Sequence, residues 1–227
     1  MFIDKLESRI LLTAISTPAA HPLFPFTPEV ATVMPYFPGT ATPTSNNFGA
    51  MTEAEKQEAK DRTKGFEGGI KNHVYEDTTG NMTVGVGHKM PENATQAEKD
   101  EFERITGKKY DDVRNGLADL TDAQANALYD SDWNKAYNQT KNEIPNFDNL
   151  HPDAKKALVD LVFNMGSLTK FPSMKEALSR LDYGQAAWDL MHQNRNTDSP
   201  PSQYAGQVGS RARSNEGLLQ GSTTTPN

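Results

Sequence analysis

One segment in the second half of the chain limits the folds that are open to it. Between Ala154 and Met165, apolar residues recur at offsets of three and four, which is the spacing of a single helix face. Val159 and Phe163 add apolar surface outside that face, so we expect a helix that is buried on most sides and ends at Gly166. Such a helix requires other helices around it, and the segment therefore predicts an all-helical lobe.

Three other segments with the same spacing can supply the surrounding helices. Their apolar positions are Ala125, Leu128, Tyr129, Trp133, Ala136 and Tyr137 in the first, Met174, Ala177, Leu178 and Leu181 in the second, and Ala186, Ala187, Leu190 and Met191 in the third. An earlier helix begins after Thr52, because Thr52 and Glu55 have the spacing of a capping box. Either Gly65 or Gly68 can end that helix.

A short strand lies between the first helix and the later ones. Alternation gives it one apolar face and one face with a hydroxyl and two glycines, namely Met82, Val84 and Val86 against Thr83, Gly85 and Gly87. Glycines in a strand mark either a weakened edge or the close approach of a ligand or another backbone, and the spacing is compatible with both. We therefore predict an α+β, mostly helical fold with a small N-terminal β-hairpin or sheet lobe and a larger all-helical C-terminal lobe. The helix that contains Trp133 is expected to connect the two lobes.

The composition excludes several functional classes. The chain has 23 Lys and Arg against 30 Asp and Glu, and its formal net charge of -7 argues against a nucleic-acid partner. It has no cysteine, and its five histidines lack the spacing of a metal site, so we expect no disulfide, no metal and no cofactor. The apolar stretches near the N-terminus are far shorter than the roughly 20 residues of a membrane span.

The ends of the chain differ in composition from its centre. Seven of the 14 prolines lie between Ile10 and Ala50, where Glu29 is the only charged residue. A stretch of this composition cannot build a core, so we interpret it as a segment that links or delivers the folded domain. The charges before its mildly apolar start sum to zero, which favours a short helical or disordered end over an export signal. The predicted divisions are an N-terminal extension at 1–50, a folded domain at 51–219 and a flexible tail at 220–227.

Two carboxyl groups and a hydroxyl are the candidates for chemistry. Glu67 follows the first helix and precedes two glycines, so it should lie at a helix C-terminus, where the helix dipole and partial burial favour the protonated form that a general acid needs. Asp77 opens a polar turn, and Thr83 lies on the glycine-lined strand face. Brought together, the three groups can hydrolyse a glycosidic bond. Taken singly, Glu67 is better explained as a solvated residue beside a helix cap, and Asp77 as a turn residue.

These residues belong to an ordered set that spans most of the chain. The set contains Phe66-Glu67-Gly68, Tyr75, Asp77, Gly80, Thr83 and Gly85-Val86-Gly87-His88, then Gln124-Ala125, Leu128 and Asp132, then Ala157-Leu158 with Phe163-Asn164-Met165-Gly166, and last Gly206, Arg211, Arg213 and Glu216-Gly217-Leu218-Leu219. It resembles the phage T4-type lysozymes, which are muramidases and endolysins of glycoside hydrolase family 24. The resemblance covers roughly Thr52 to Leu219.

The resemblance implies an active-site cleft between the lobes and a role for each matched residue. The roles are the general acid for Glu67, the water-positioning carboxylate for Asp77, its hydroxyl partner for Thr83, a substrate-binding aromatic of the sugar cleft for Phe163, an arginine near the acid for Arg211, and a structural ion pair for His88 and Asp132. An arginine beside the acid favours the charged carboxyl and therefore opposes the helix dipole. A position in the core explains Phe163 equally well.

Two features depart from the resemblance. The spacing from Glu67 to Asp77 is one residue longer than usual, with the extra residue near Gly69, and a bulge in the hairpin can absorb it. Glu76 would restore the spacing but breaks the six-residue step to Thr83, so we favour Asp77. The net charge of -7 gives no overall attraction to an anionic cell wall, so we expect the Pro-rich extension to help delivery.

We therefore expect a peptidoglycan muramidase that hydrolyses the β-1,4 bond between N-acetylmuramic acid and N-acetylglucosamine with inversion. Its partner is bacterial peptidoglycan, it acts on the cell wall from the periplasm or from outside the cell, and we expect a monomer. Two alternatives stay open. One is a module that binds peptidoglycan or a partner protein without cutting, and the other is a lytic transglycosylase, which needs the acid but not Asp77. A structural role in a virion is compatible with activity.

Overall fold

The computed structural model describes residues 48–223 of the protein. Its helices and strands are α1 (Glu53–Phe66), β1 (Lys71–Glu76), β2 (Met82–Gly85), β3 (His88–Lys89), α2 (Gln96–Thr106), α3 (Tyr110–Arg114), α4 (Asp122–Glu143), α5 (Pro152–Met165), α6 (Pro172–Ser179), α7 (Tyr183–Met191), α8 (Gln203–Val208) and α9 (Ser210–Gly221), with a 3-10 turn at Phe147–Asn149. The strands form one antiparallel sheet in the order β1-β2-β3. The α+β, mostly helical fold is therefore confirmed. The predicted extension up to residue 47 and the predicted tail from residue 224 lie outside the described residues, while α9 continues through the first two residues of that tail.

Two hydrophobic cores are joined by one long helix. The smaller core is built from the sheet, α2, α3 and the start of α4, and its buried residues are Val74, Val84, Met90, Phe102, Tyr110, Val113, Leu120, Ala125 and Leu128. The larger core gathers α1, the rest of α4 and α6 to α9 around α5. Ala125 and Leu128 of α4 belong to the smaller core, and Trp133 and Ala136 to the larger one. The helix that contains Trp133 thus connects the two lobes, as predicted.

Helix α5 lies in the middle of the larger core. Every residue from Ala154 to Val162 is buried, so the helix is enclosed on all its faces. Pro152 occupies the first turn, where a missing N–H loses no helical bond. Gly166 ends the helix with a φ of 79°, a conformation that glycine adopts without strain. Asp160 lies in this buried run with no exposed surface, a position that requires partners for its charge.

The first helix belongs to the larger lobe, although it comes first in the chain. The capping box between Thr52 and Glu55 begins it as predicted, and Ala59 is buried in the larger core. The helices of the smaller lobe are instead α2 and α3, for which apolar spacing gave no prediction. Most exposed residues of α2 are charged, and a second capping box between Thr95 and Glu98 is the feature that starts it.

Strand β2 is shorter than the alternation of its sequence predicts. It ends at Gly85, and Val86 with Gly87 forms a turn into β3. The φ angles of Gly85 and Gly87 are 67° and 79°, in the left-handed region that favours glycine. The prediction that Thr83, Gly85 and Gly87 share one strand face is therefore wrong beyond Gly85, because the chain turns there. Leu181 also departs from the prediction, since it follows α6 with a φ of 59° instead of continuing the helix.

Candidate active site

Glu67 stands where α1 ends and the chain turns toward the sheet. It is the C-cap residue of α1, and its backbone N–H donates to the carbonyl of Lys64 at 3.1 Å. Gly68 and Gly69 follow with φ angles of 76° and 91°, which turn the chain out of the helix. Glu67 thus lies at the helix C-terminus as its sequence context predicts, with 19% of its side chain exposed.

Two groups approach the Glu67 carboxylate, one from α9 and one from the turn after β2. Nη1 of Arg211 donates to Oε1 at 2.7 Å. A Cβ atom at Gly87 would lie 2.8 Å from Oε2, so a side chain there would displace the carboxylate from its present position. A Cβ atom at Gly85 would lie 3.5 Å from the Cβ of Ala125. These two glycines therefore allow the turn to approach the side chains of Glu67 and Ala125 closely.

Arg211 is held from behind by Asp160 of α5. Its Nε and Nη2 donate to Oδ2 and Oδ1 of Asp160 at 3.0 and 2.9 Å, which makes a bidentate pair. Burial alone would raise the pKa of Asp160, but hydrogen bonds and charge from Arg211, with help from Asn215 and Arg62, lower it. Burial alone would lower the pKa of Arg211, but Asp160 and Glu67 raise it. Arg211 therefore stays charged between a buried carboxylate and a partly exposed one.

Three more polar side chains surround Asp160. Thr63 of α1 donates from Oγ1 to Oδ1 at 2.9 Å, and Nδ2 of Asn215 donates to Oδ2 at 2.8 Å. Nη1 of Arg62 lies 3.6 Å from Oδ2, while Nη2 of the same residue donates to Oδ1 of Asn215 at 2.7 Å. Burial lowers the pKa of Arg62, although Asp160 acts against this. The charge of Asp160 is thus fully partnered by side chains from α1 and α9.

Asp77 lies in the hairpin turn between β1 and β2. Its Oδ1 accepts from the backbone N–H groups of Thr79 and Asn81 at 2.8 and 2.9 Å and from the Thr79 hydroxyl at 2.8 Å. These bonds, the Asn81 backbone bond first, hold the pKa of Asp77 well below its usual range. Within the described residues Oδ2 accepts a hydrogen bond only from the side-chain amide of Asn81, at 3.4 Å. Asp77 therefore performs ordinary turn chemistry with one oxygen and leaves the other for further partners.

Thr83 and Asp77 are linked through Asn81. The Thr83 hydroxyl donates to the Asn81 carbonyl at 3.1 Å, and the backbone N–H of Asp77 donates to the same oxygen at 2.8 Å. Among residues 48–223 no hydrogen bond joins the Thr83 side chain directly to Asp77. Thr83 itself is buried, with 2% of its surface exposed.

The register of the sheet is irregular before Tyr75. Lys71 pairs with Gly85 and Tyr75 pairs with Thr83, so β1 advances four residues where β2 advances two. The longer spacing between the two candidate carboxylates predicts an irregularity in this hairpin. The irregularity lies inside β1, between Lys71 and Tyr75, whereas the sequence suggests a position near Gly69.

Tyr75 lies near both candidate carboxylates. Burial raises the pKa of its phenol, and the charges of Glu67 and then Asp77 raise it further. The charges of both candidate carboxylates thus reach Tyr75, a residue to which the sequence gave no role.

The other predicted residues occupy two further places. Nδ1 of His88 lies 2.6 Å from Oδ2 of Asp132, so β3 and α4 are joined by a partly buried pair. Phe163 packs against the larger core with its ring centroid 5.6 Å from that of Tyr129, edge to face. The Tyr129 hydroxyl donates to the carbonyl of Lys60 at 2.6 Å. Phe163 is thus a half-buried residue packed on a fixed neighbour.

The structure gathers some of the predicted residues and leaves others apart. Glu67 contacts Arg211, but no hydrogen bond in the described part of the chain joins Glu67 to Asp77 or Thr83. Sequence reasoning missed Asp160, the residue that holds the arginine. A signal for it was present, because a carboxylate in a helix buried on all faces requires a cationic partner.

Two cavities of the described residues lie away from the candidate acid. The larger, about 310 Å³, is formed by α6, α7, α8 and the loop after α7, with Phe171, Asp189 and Tyr204 in its lining. The smaller, about 100 Å³, lies beside His88 in the smaller lobe. Neither is lined by a candidate carboxylate. The cleft between the lobes therefore stays a prediction.

Residues 48–223 contain neither a membrane span nor a metal cluster. No helix in this range is long and apolar enough to cross a membrane. No group of three His, Asp or Glu side chains in it is arranged to hold a metal ion.

Known proteins share most of this region. The family model described as phage lysozyme matches residues 64–214. A protein named "Probable T4-type lysozyme 2" from Dictyostelium discoideum is 27% identical over 149 residues, which cover 62% of this chain and 86% of that protein. The matched range of the family model includes both Glu67 and Arg211, at the two ends of the ion pair.

Proposed function

Because this chain belongs to the phage lysozyme family, we propose that it hydrolyses the β-1,4 bond between N-acetylmuramic acid and N-acetylglucosamine by single displacement with inversion. The chain is a lysozyme-like muramidase, an enzyme of the hydrolase class. The bond, the stereochemistry and the residues that act are the content of the proposal.

The observation that supports it best is the partly exposed Glu67 carboxyl held against a buried guanidinium. An acid must deliver its proton to the glycosidic oxygen and remain as a carboxylate. Arg211, 2.7 Å from Oε1, stabilises that carboxylate once the proton has left. The helix C-terminus disfavours the same charge before transfer. Opposing influences of this kind suit a residue that loses and regains a proton in each cycle.

We assign the second carboxylate to Asp77. Its hydrogen bonds keep it ionised, and its Oδ2 is able to accept from a water molecule. In an inverting reaction that water attacks the sugar from the face opposite the leaving oxygen, so the carboxyl groups of Glu67 and Asp77 should lie roughly 6.5 to 9.5 Å apart. The Thr83 hydroxyl donates its proton to Asn81 and keeps its lone pairs for the same water.

The substrate we propose is the peptidoglycan of the bacterial cell wall, reached from the periplasm or from outside, with the enzyme acting as a monomer. The formal net charge of -7 gives no long-range attraction to an anionic wall. We therefore assign delivery to the N-terminal extension at residues 1–50 and catalysis to residues 51–219. Phe163, half-buried beside Tyr129, is the candidate for sugar contact.

Glu67→Gln tests the acid, with Glu76→Gln as the matched control. Loss of a general acid lowers a rate by roughly 10² to 10⁴. Release of reducing sugars from purified peptidoglycan should fall by that factor in Glu67→Gln and stay at the parent rate in Glu76→Gln, an exposed residue beside Asp77. Hydrolysis at the parent rate by Glu67→Gln would refute the assignment. A loss in Glu76→Gln instead would move the second carboxylate to that residue.

Product masses separate the muramidase from the alternatives. Hydrolysis adds water and gives reducing ends, whereas a lytic transglycosylase gives anhydro-muropeptides and would not need Asp77. A module that only binds peptidoglycan releases no sugars at all. We expect reducing products from the parent and none from Asp77→Asn.

A further inference from the structure

The candidate acid belongs to a cluster of four charged side chains. It consists of Glu67, Arg211, Asp160 and Arg62, whose side chains are 19%, 7%, 0% and 18% exposed. The ring of Phe66 covers both guanidinium groups, whose central carbons lie 5.1 and 5.2 Å from its centroid. Water screens charges less in such surroundings than at a surface, so each member affects the others strongly.

The net charge of this cluster depends on the state of Glu67. When Glu67 is ionised, two carboxylates balance two guanidinium groups. When it is protonated, the cluster carries one uncompensated positive charge. Asp160 thus offsets one guanidinium that would otherwise act on Glu67, while Arg62 adds a positive charge without contacting Glu67. Removal of Asp160 should therefore favour the ionised form of Glu67, and removal of Arg62 should favour the protonated form.

We propose that Asp160 and Arg62 are positioning residues that set the protonation of Glu67 through Arg211. The bidentate bonds from Nε and Nη2 to Asp160 fix the plane of the guanidinium and leave Nη1 for Glu67. Arg62 approaches the same carboxylate, with Nη1 3.6 Å from the Oδ2 that also accepts from Arg211, and limits how much negative charge Arg211 meets there. The inference rests on the proposed function, because it takes Glu67 as the acid.

Other ionisable groups on the neighbouring elements are common to every variant of the cluster. They are Lys64 of α1, Tyr75 of β1, Asp77 of the hairpin turn, His88 after Gly87, Tyr129 of α4, and Tyr204 of α8. Burial raises the pKa of all three tyrosines, that of Tyr204 to about 12, so they stay neutral in the range of the assay. Because none of these groups changes, their influence cancels when variants are compared.

The pH dependence of peptidoglycan hydrolysis provides the test, since its alkaline limb reports loss of the acid's proton. Asp160→Asn leaves two guanidinium groups acting on Glu67 and should move this limb to lower pH by roughly one unit. Arg62→Gln removes one positive charge and should move it to higher pH by a similar amount. Arg62→Lys keeps the charge and should keep the limb of the parent. Arg213→Gln, an exposed position of α9, is the control for an equal change of net charge.

Opposite shifts of the two limbs, with Arg213→Gln unmoved, support the inference. Equal losses of rate at every pH without a shift would show that Asp160 and Arg62 only support the fold, and an equal shift in Arg213→Gln would show a general charge effect. Either result overturns the inference. If Asp160→Asn does not fold, the comparison of Arg62→Gln with Arg62→Lys is sufficient. An alkaline limb of Arg62→Gln that stays in place or moves to lower pH contradicts the inference. If Glu67→Gln is inactive but the alkaline limbs of the Asp160 and Arg62 variants do not move, only this inference is refuted. If Glu67→Gln remains active, the proposed function is refuted.

Discussion

Gly87 is the position at which one added methyl group probes the geometry around the acid. Its φ is 79°, and a Cβ atom there would lie 2.8 Å from Oε2 of Glu67. A residue other than glycine in this conformation costs roughly 1–2 kcal/mol. The carboxylate must also move by about 0.6 Å to reach an ordinary contact of 3.4 Å. That movement weakens its bond to Arg211, and a hydrogen bond to a charged group is worth roughly 1.5–3 kcal/mol.

Gly107→Ala separates the two effects in Gly87→Ala. Gly107 has a φ of 65° with no atom within 4 Å of its Cβ position, so it carries the backbone cost alone. For a domain of this size each kcal/mol lowers the Tm by about 2–4 °C. We expect Gly107→Ala to lose roughly 2–8 °C and to hydrolyse peptidoglycan at the parent rate. Gly87→Ala should lose more stability and, because its acid is displaced, roughly 10-fold to 10²-fold in rate.

The comparison has a clear negative outcome. Equal losses of Tm in the two alanine variants, together with parent-rate hydrolysis by Gly87→Ala, would show that the Glu67 carboxylate does not lie against this turn. The glycine at that position would then be explained by its backbone conformation alone.

Two further outcomes concern single side chains. Thr63→Val deletes the hydroxyl that donates to buried Asp160 and should lower the free energy of unfolding by roughly 1.5–3 kcal/mol in urea denaturation. Thr140→Val, which loses a bond to the Ala136 carbonyl, should cost about 1 kcal/mol or less, and equal costs would contradict a special role of the charge. Asp77 has a pKa below its unfolded value of about 3.9, so its charge stabilises the fold above that pH and the effect is lost as the pH falls. The stability difference between the parent and Asp77→Asn should therefore be full above about pH 5 and shrink below about pH 4, and a difference that grows in acid would refute the assignment.

The sequence predicted the helices that pack many apolar side chains into a core. In α4 the buried residues recur with the period of the helix, and in α5 the apolar positions also recur at offsets of three and four, although the folded helix is buried on every face. Apolar spacing alone therefore located Trp133 and the run that ends at Gly166. Helix α2 escaped prediction because it buries only Phe102 and Thr106, although the capping box of Thr95 and Glu98 marks its first turn.

The site was less predictable, because its contacts join residues far apart in the chain. The position of Glu67 at a helix end follows from the local sequence, since two glycines come after it. The use of Gly87 does not, because alternation cannot distinguish a strand glycine from one in a left-handed turn against a carboxylate. The burial expected for α5 marks Asp160 as a residue that needs a partner, but its partners Thr63, Arg211 and Asn215 lie on distant elements and do not follow from local spacing.

Helix α4 forms one wall of each hydrophobic core. Ala125 and Leu128 line the smaller core, and Trp133 and Ala136 line the larger one, along a single uninterrupted run of backbone hydrogen bonds. Because one helix supplies a wall to both cores, a bend in α4 between Leu128 and Trp133 would change how the two cores face each other. Substitutions that stiffen or bend α4 are therefore expected to alter the arrangement of the two lobes without touching a candidate catalytic residue.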